Sequence, residues 1–248
     1  MNLVCLHGFT GTQSTWHELA DLLPDVHVIV FDLFGHGSSQ VENCYTMDEQ
    51  IDAIDRVLAG FDEFALLGYS MGGRTALSYA AKYPSKVTHL LLESASPGLK
   101  RASERAERRS RDEALACKIE TEGIEAFVDF WQEIPLFATQ RDLPVEVQQI
   151  IREERLSQTE KGLALSLRSV GTGAQASQWH NLKNLPMPVT LITGALDQKF
   201  CAIAQDMAEC IPKVKHIVVN GAGHAIHVEN PAEFATIVKE QLKTNLGG

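Results

Sequence analysis

The chain has 248 residues, a formal net charge of −10 at pH 7 and an ordinary apolar share of 44%. That length allows one domain with a sizeable core, and the acidic balance argues against a broad footprint on nucleic acid or an anionic membrane. Five cysteines (Cys5, Cys44, Cys117, Cys201 and Cys210) form an odd set without a CxxC pair, which fits reduced thiols and supports neither a disulfide nor a zinc framework.

The first residues, MNLVCLHG, carry no basic stretch and no long apolar run. Neither a signal peptide nor a membrane span is therefore expected, and the cytoplasm is the expected compartment. From there short β-rich apolar runs alternate with helical patterns. Strands are predicted at residues 3–7, 26–31, 64–68, 87–92, 189–193 and 214–219, and helices at 16–23, 47–59, 71–82, 201–210 and 231–242. The strand runs are continuously apolar, as buried parallel strands are, so the pattern predicts an α/β fold with an open, mostly parallel sheet flanked by helices. From residue 97 to about 185 no strand signal occurs, only charged amphipathic helices and short breaks. This divides the chain into a core (1–96 and 186–248) and a helical cap insertion (97–185).

The stretch LLGYSMGGRTAL sets Ser70 between Gly68 and Gly72, after a strand and before a helix. That is the pattern of a nucleophile elbow, where small neighbours permit a tight turn and the helix N-terminus favours a developing anion. A serine nucleophile needs a base and an orienting acid, which on this fold follow in the order acid, then histidine. LITGALDQKF places Asp197 just after one strand, and VVNGAGHAIHVENP places His224 just after the next, both at the sheet edge that Ser70 occupies. Glu93, after the strand at 87–92, is the rival acid, and Asp197 is preferred because it comes directly off a strand end. His227 competes with His224 but reads as structural; two histidines three apart without a further ligand do not make a metal site. The oxyanion donors are expected to be the backbone amides of Met71 and, in LHGFTG, of Phe9. His7 reads as a hydrogen-bonded turn residue, and DLFGHGSS as a structural turn.

Arg74 stands one turn past Ser70, on the helix face toward the cleft. The insertion opens PGLKRASERAERRSRDEALACK, basic within an acidic chain, with Arg101, Arg105 and Arg108 on one helical stripe. A solvated face paired with Glu104 and Glu107 accounts for most of these. A fixed cationic fork beside an active site, however, suits a carboxylate substrate, whereas a lipid esterase needs an apolar channel.

HGFTG, DLFGHGSS, GYSMGG, LITGALD and GAGH occur in this order over nearly the whole chain, which resembles the α/β-hydrolase superfamily. Only two residues precede the first predicted strand, so the two antiparallel strands that usually open that fold are not expected. GYSMGGR, PGLKRASERAERR, FVDFWQEIPLFA, GALDQKF and GAGHAIHVENP narrow the resemblance to the 2-succinyl-6-hydroxy-2,4-cyclohexadiene-1-carboxylate (SHCHC) synthases of menaquinone biosynthesis. The similarity is weakest between Thr139 and Asn184. It implies a cofactor-free lyase that eliminates pyruvate from 2-succinyl-5-enolpyruvyl-6-hydroxy-3-cyclohexene-1-carboxylate. It also implies a triad of Ser70, Asp197 and His224, carboxylate-binding Arg74, Arg108 and, where the alignment is loose, Arg155, and a pocket lined by Tyr69 and Trp131. No metal is called for, and the expected partner is a small polycarboxylate substrate bound by a monomer. Two alternatives stand beside this reading: a carboxylesterase or carbon–carbon bond hydrolase using the same triad with water, and a catalytically silent ligand-binding member of the fold.

Overall fold

The computed structural model describes residues 1–244. Six strands form one sheet: β1 (Asn2–Leu6), β2 (His27–Val30), β3 (Phe64–Tyr69), β4 (Val87–Glu93), β5 (Val189–Gly194) and β6 (Val214–Val219). Their spatial order is β2-β1-β3-β4-β5-β6, and every neighbouring pair is parallel. Among the described residues no antiparallel strand joins this sheet.

Alternate residues of each inner strand feed two apolar cores. Val4, Leu6, Leu66, Leu90 and Leu92 point into one, and Leu3, Cys5, Ala65, Leu67 and Leu91 into the other. Burial on both faces is why these runs are continuously apolar, and the two-residue repeat assigns each side chain to its layer. The edge strand β2 pairs with β1 from Asn2↔His27 to Cys5↔Val30 and is two residues shorter than its predicted run.

The core helices are α1 (His17–Leu22), α2 (Met47–Val57) and α3 (Met71–Lys82). At the start of α2, Thr46 Oγ1 accepts the Glu49 N–H and Glu49 accepts the Thr46 N–H, a reciprocal cap written in the sequence as T-x-x-E. Between β4 and β5 the described chain is helical or irregular: α4 (Ala102–Gln132), α5 (Val145–Leu156) and α6 (Glu160–Val170), with short 3₁₀ turns. Gly123 (φ 85°, ψ 169°) breaks α4 into two pieces. Ala116, Ile119, Phe127, Val128, Leu163, Ala164 and Leu167 give this layer an apolar core of its own, against which Phe9 of the first loop packs. The described residues end with α7 (Gln198–Ala208), α8 (Ile226–Glu229) and α9 (Pro231–Thr244). The sequence pattern places the start of α7 three residues too late, because Asp197 caps it: its Oδ1 accepts the Phe200 N–H at 3.2 Å. No helix of the described residues is long and apolar enough to cross a membrane.

Buried histidines make the fold acid-sensitive. Burial, helped by the neighbouring His7, lowers the pKa of His36 to about 3, and burial also lowers that of His7. The unfolded chain therefore binds protons below about pH 6.5 that the native state refuses. Stability is full above that pH and is lost as the pH falls toward 3. His36 alone should remove about 2 kcal/mol between pH 7 and pH 5. Guanidinium unfolding at the two pH values measures this, and coincident midpoints would refute it.

Candidate active site

Ser70 follows β3 directly and stands at the N-cap of α3 with φ 51° and ψ −105°, a left-handed conformation that a side-chain-bearing residue rarely adopts. Its N–H donates to Glu93 O at 2.9 Å, and its carbonyl accepts the Arg74 N–H at 3.0 Å. The flanking glycines are required sterically. A Cβ on Gly68 would lie 2.4 Å from Gly72 O, and one on Gly72 would lie 2.2 Å from Leu6 O. The serine is thus held in a strained turn by backbone packed too closely for any side chain.

Facing it, His224 lies in the loop after β6. Its Nε2 is 3.1 Å from Ser70 Oγ, and its Nδ1–H donates to Asp197 Oδ2 at 2.7 Å. His224 is buried, and its ring packs against Phe200 with centroids 4.6 Å apart. Asp197 therefore serves two neighbours, with one oxygen on the histidine and the other on the start of α7. Glu93 belongs to a separate pair. Fully buried, it accepts the His227 backbone N–H at 3.0 Å and the His227 ring Nδ1–H at 2.9 Å. The Tyr69 ring lies between the two histidines, 5.4 Å from His224 and 4.6 Å from His227. Glu93→Gln is expected to lower stability by about 1–3 kcal/mol, the usual cost of a weakened buried polar pair, while kcat changes less than about threefold. Thermal melts and initial rates on one preparation check both; a loss of kcat matching that of Asp197→Asn would make Glu93 the functional acid.

The loop after β1 brings Phe9 to the same place. Met71 is the first residue of α3, so its N–H has no intrahelical partner, and among the described residues the Phe9 N–H likewise donates to no group of the chain. His7 shapes this loop as a turn residue: its Nδ1–H donates to Gly8 O at 2.8 Å and its Nε2 accepts the Leu33 N–H at 3.0 Å. In DLFGHGSS, Asp32 fixes the neighbouring turn by accepting Ser38 and Gln13 N–H groups, which hold its carboxyl low although burial opposes them.

A cavity of about 740 Å³ opens above Ser70, between the sheet edge and the helical layer, with Phe9, Met71 and His224 on its wall. Its lining includes six cationic side chains and three acidic ones, a local excess of positive charge in an acidic protein. Arg101, Arg108 and Arg111 each have a carboxylate partner in Glu104, Asp112 and Glu107. Arg74 differs. It is buried, and its Nη1 donates to two neutral oxygens, Val170 O at 2.8 Å and Gln175 Oε1 at 2.7 Å. Among the described residues it forms no ion pair with a carboxylate. Burial and the nearby Arg108 lower its pKa to about 10, so it remains a cation at neutral pH.

Tyr69 and Trp131 also line the cavity. Burial pushes the Tyr69 phenol well up, which keeps it protonated. Trp131 contacts Phe9, Phe127 and Phe137, and its indole N–H has no partner among the described residues. Arg155 is buried, its guanidinium 4.6 Å from the ring of the lining residue Phe137 and its Nη2 donating to Gln140, and its charge acts on the Tyr69 phenol. Sequence reasoning missed Lys100, Lys199 and Phe200, which also line the cavity. Lys199 lies on α7, two residues past Asp197.

A serine on a strained elbow, joined through histidine to aspartate at the carboxyl edge of a parallel sheet, defines the class. The chain belongs to the α/β-hydrolase family, whose fold pattern matches residues 2–231. Within it the chain groups with the SHCHC synthases. A Bacillus subtilis (strain 168) protein provisionally named 2-succinyl-6-hydroxy-2,4-cyclohexadiene-1-carboxylate synthase is 43% identical over 248 residues, covering 97% of this chain and 89% of that protein. The synthase of that name from Shigella flexneri is 31% identical, covering 97% and 93%. The structure of MenH from S. aureus superposes with a TM-score of 0.97 at 40% identity, covering 100% of this chain and 95% of that one.

Proposed function

We propose that this protein is an SHCHC synthase, eliminating pyruvate from 2-succinyl-5-enolpyruvyl-6-hydroxy-3-cyclohexene-1-carboxylate. The observation that carries the reading is Arg74: a buried guanidinium that forms no ion pair with a carboxylate among the described residues, on the wall of the cavity that Ser70 and His224 share. Keeping an unpaired cation buried costs stability, and a substrate carboxylate offsets that cost where an ester substrate would not.

In this reading Ser70, activated by His224, takes the proton from the ring carbon that bears the succinyl ketone. The proton passes to His224, whose orientation and charge Asp197 supports. The Phe9 and Met71 N–H groups stabilise the enolate oxygen. The electron pair then forms a ring double bond, the existing double bond shifts by one position, and the C–O bond to the enolpyruvyl group breaks. The departing enolate takes up a proton to become pyruvate, so water is not consumed. Arg74, Arg108 and Arg155 hold substrate carboxylates, and Tyr69 and Trp131 shape the ring pocket. The step needs no metal or organic cofactor, and the protein works as a cytoplasmic monomer.

The test is a coupled assay that supplies the enolpyruvyl substrate and follows both products. Pyruvate formed in equal amount with the cyclohexadiene supports the lyase. A hydrolysed product containing an added water would instead assign the triad to a hydrolase. Binding without turnover would assign the protein to ligand capture.

A further inference from the structure

We propose that Glu154, on cap helix α5, is a positioning residue for the oxyanion loop, so that the cap and the Phe9 N–H are set as one unit. The proposal rests on the catalytic reading of Ser70 and Phe9, but not on which substrate they serve.

The loop between β1 and α1 must hold an awkward shape. Thr10, immediately after Phe9, has φ 70°, an outlier for a β-branched residue that persists only where its surroundings over-determine it. His7 fixes the near end through Gly8 and Leu33. The far side is fixed from the cap. Glu154 Oε1 accepts the Thr12 N–H at 2.9 Å, the Thr12 hydroxyl at 2.8 Å and the Thr15 hydroxyl at 2.8 Å, with the Ser14 hydroxyl at 3.2 Å. One turn further along the cap, Gln158 Nε2 donates to Thr10 O and Gly11 O at 3.4 and 3.3 Å. Its Oε1 accepts the Gly37 N–H from the neighbouring turn at 3.1 Å.

Among the described residues Glu154 forms no ion pair with a lysine, arginine or histidine; its contacts are with these loop donors. Bonds to an ionised acceptor are roughly twice as strong as neutral ones, and three close bonds on one oxygen define a position rather than a general attraction. Phe9 itself packs on Trp131 and Phe127 of α4, so two cap helices grip the segment that carries the oxyanion donor. A displacement of α5 would therefore move the loop and weaken catalysis without touching Ser70, His224 or Asp197.

The test uses Glu154→Gln and Glu154→Ala in the full chain. The first readout is the second-order rate at which a fluorophosphonate probe labels Ser70, since its phosphoryl oxygen draws on the same donors. The second is kcat and KM on the enolpyruvyl substrate. Losing one oxyanion donor outright costs about 10²–10³-fold. Misplacing it should slow labelling and kcat by roughly tenfold in Glu154→Ala, with KM within about twofold and partial recovery in Glu154→Gln. A purely structural role predicts a lower melting temperature with wild-type labelling by the folded fraction, and that outcome overturns the proposal. Should both variants misfold, Thr15→Val removes one hydroxyl, which donates to Glu154 Oε1 at 2.8 Å and accepts the Thr12 N–H at 3.3 Å: slower labelling supports the proposal, and an unchanged rate overturns it. Slowed labelling in a protein that forms no pyruvate would uphold the role of Glu154 while rejecting the lyase.

Discussion

Ser70→Ala and His224→Ala are each expected to lower kcat for pyruvate release by roughly 10³-fold or more, because members of a triad act as a unit and removal of either disables proton transfer. His224 Nε2 stands 3.1 Å from Ser70 Oγ, within reach of the proton it must take, and no other base of the described residues is placed on that hydroxyl. Asp197→Asn should also be severe. The carboxylate only accepts, which obliges His224 Nδ1 to carry the proton and leaves Nε2 free to act as base. An amide can turn its NH₂ toward the ring and favour the opposite tautomer. The same substitution keeps an acceptor for the Phe200 N–H, so the cap of α7 is largely preserved. Stopped-flow or coupled assays at fixed pH measure the three variants; a Ser70→Ala enzyme retaining a tenth of wild-type kcat would remove serine from the mechanism.

The second large effect is expected at Arg74. Replacing it by alanine removes a charge-assisted contact worth about 1.5–3 kcal/mol, so kcat/KM on the enolpyruvyl substrate should fall roughly ten- to 150-fold. Arg74→Lys should recover only part, because an ammonium keeps the charge and loses the planar fork. A neutral ester such as p-nitrophenyl acetate offers no carboxylate, and its hydrolysis, where detectable, should change far less. Arg74 also ties Val170 O and Gln175 to α3, so some loss of melting temperature accompanies either variant. The ratio of the two activities separates the roles, since a loosened helical layer over the cavity lowers both alike. Equal losses on both substrates would leave Arg74 as a brace only.

Local chemistry accounts for what the sequence determined by itself. The sheet was legible because inner strands are buried on both faces, and that demand writes continuous apolar runs into the chain. The elbow was legible because its tight turn tolerates only glycine at positions 68 and 72, where a Cβ would strike backbone. Chain order on this fold then pointed to Asp197 and His224, and the structure brings their side chains together with Ser70.

Tertiary structure alone decided which long-range partner each polar side chain meets. Glu93 ends β4 and Asp197 follows the end of β5 at the same sheet edge, and only the packing of α8 delivers His227 to one and leaves His224 to the other. Arg155 and Glu154 are adjacent on α5 and about 100° apart around the helix axis, so one turns toward Phe137 and Gln140 and the other toward Thr12 and Thr15. Nothing in a linear pattern encodes that choice. It depends on how a helix from the segment between β4 and β5 settles on a loop more than a hundred residues earlier, which is fixed by apolar packing of the whole face and not by the identity of the polar residue that profits from it.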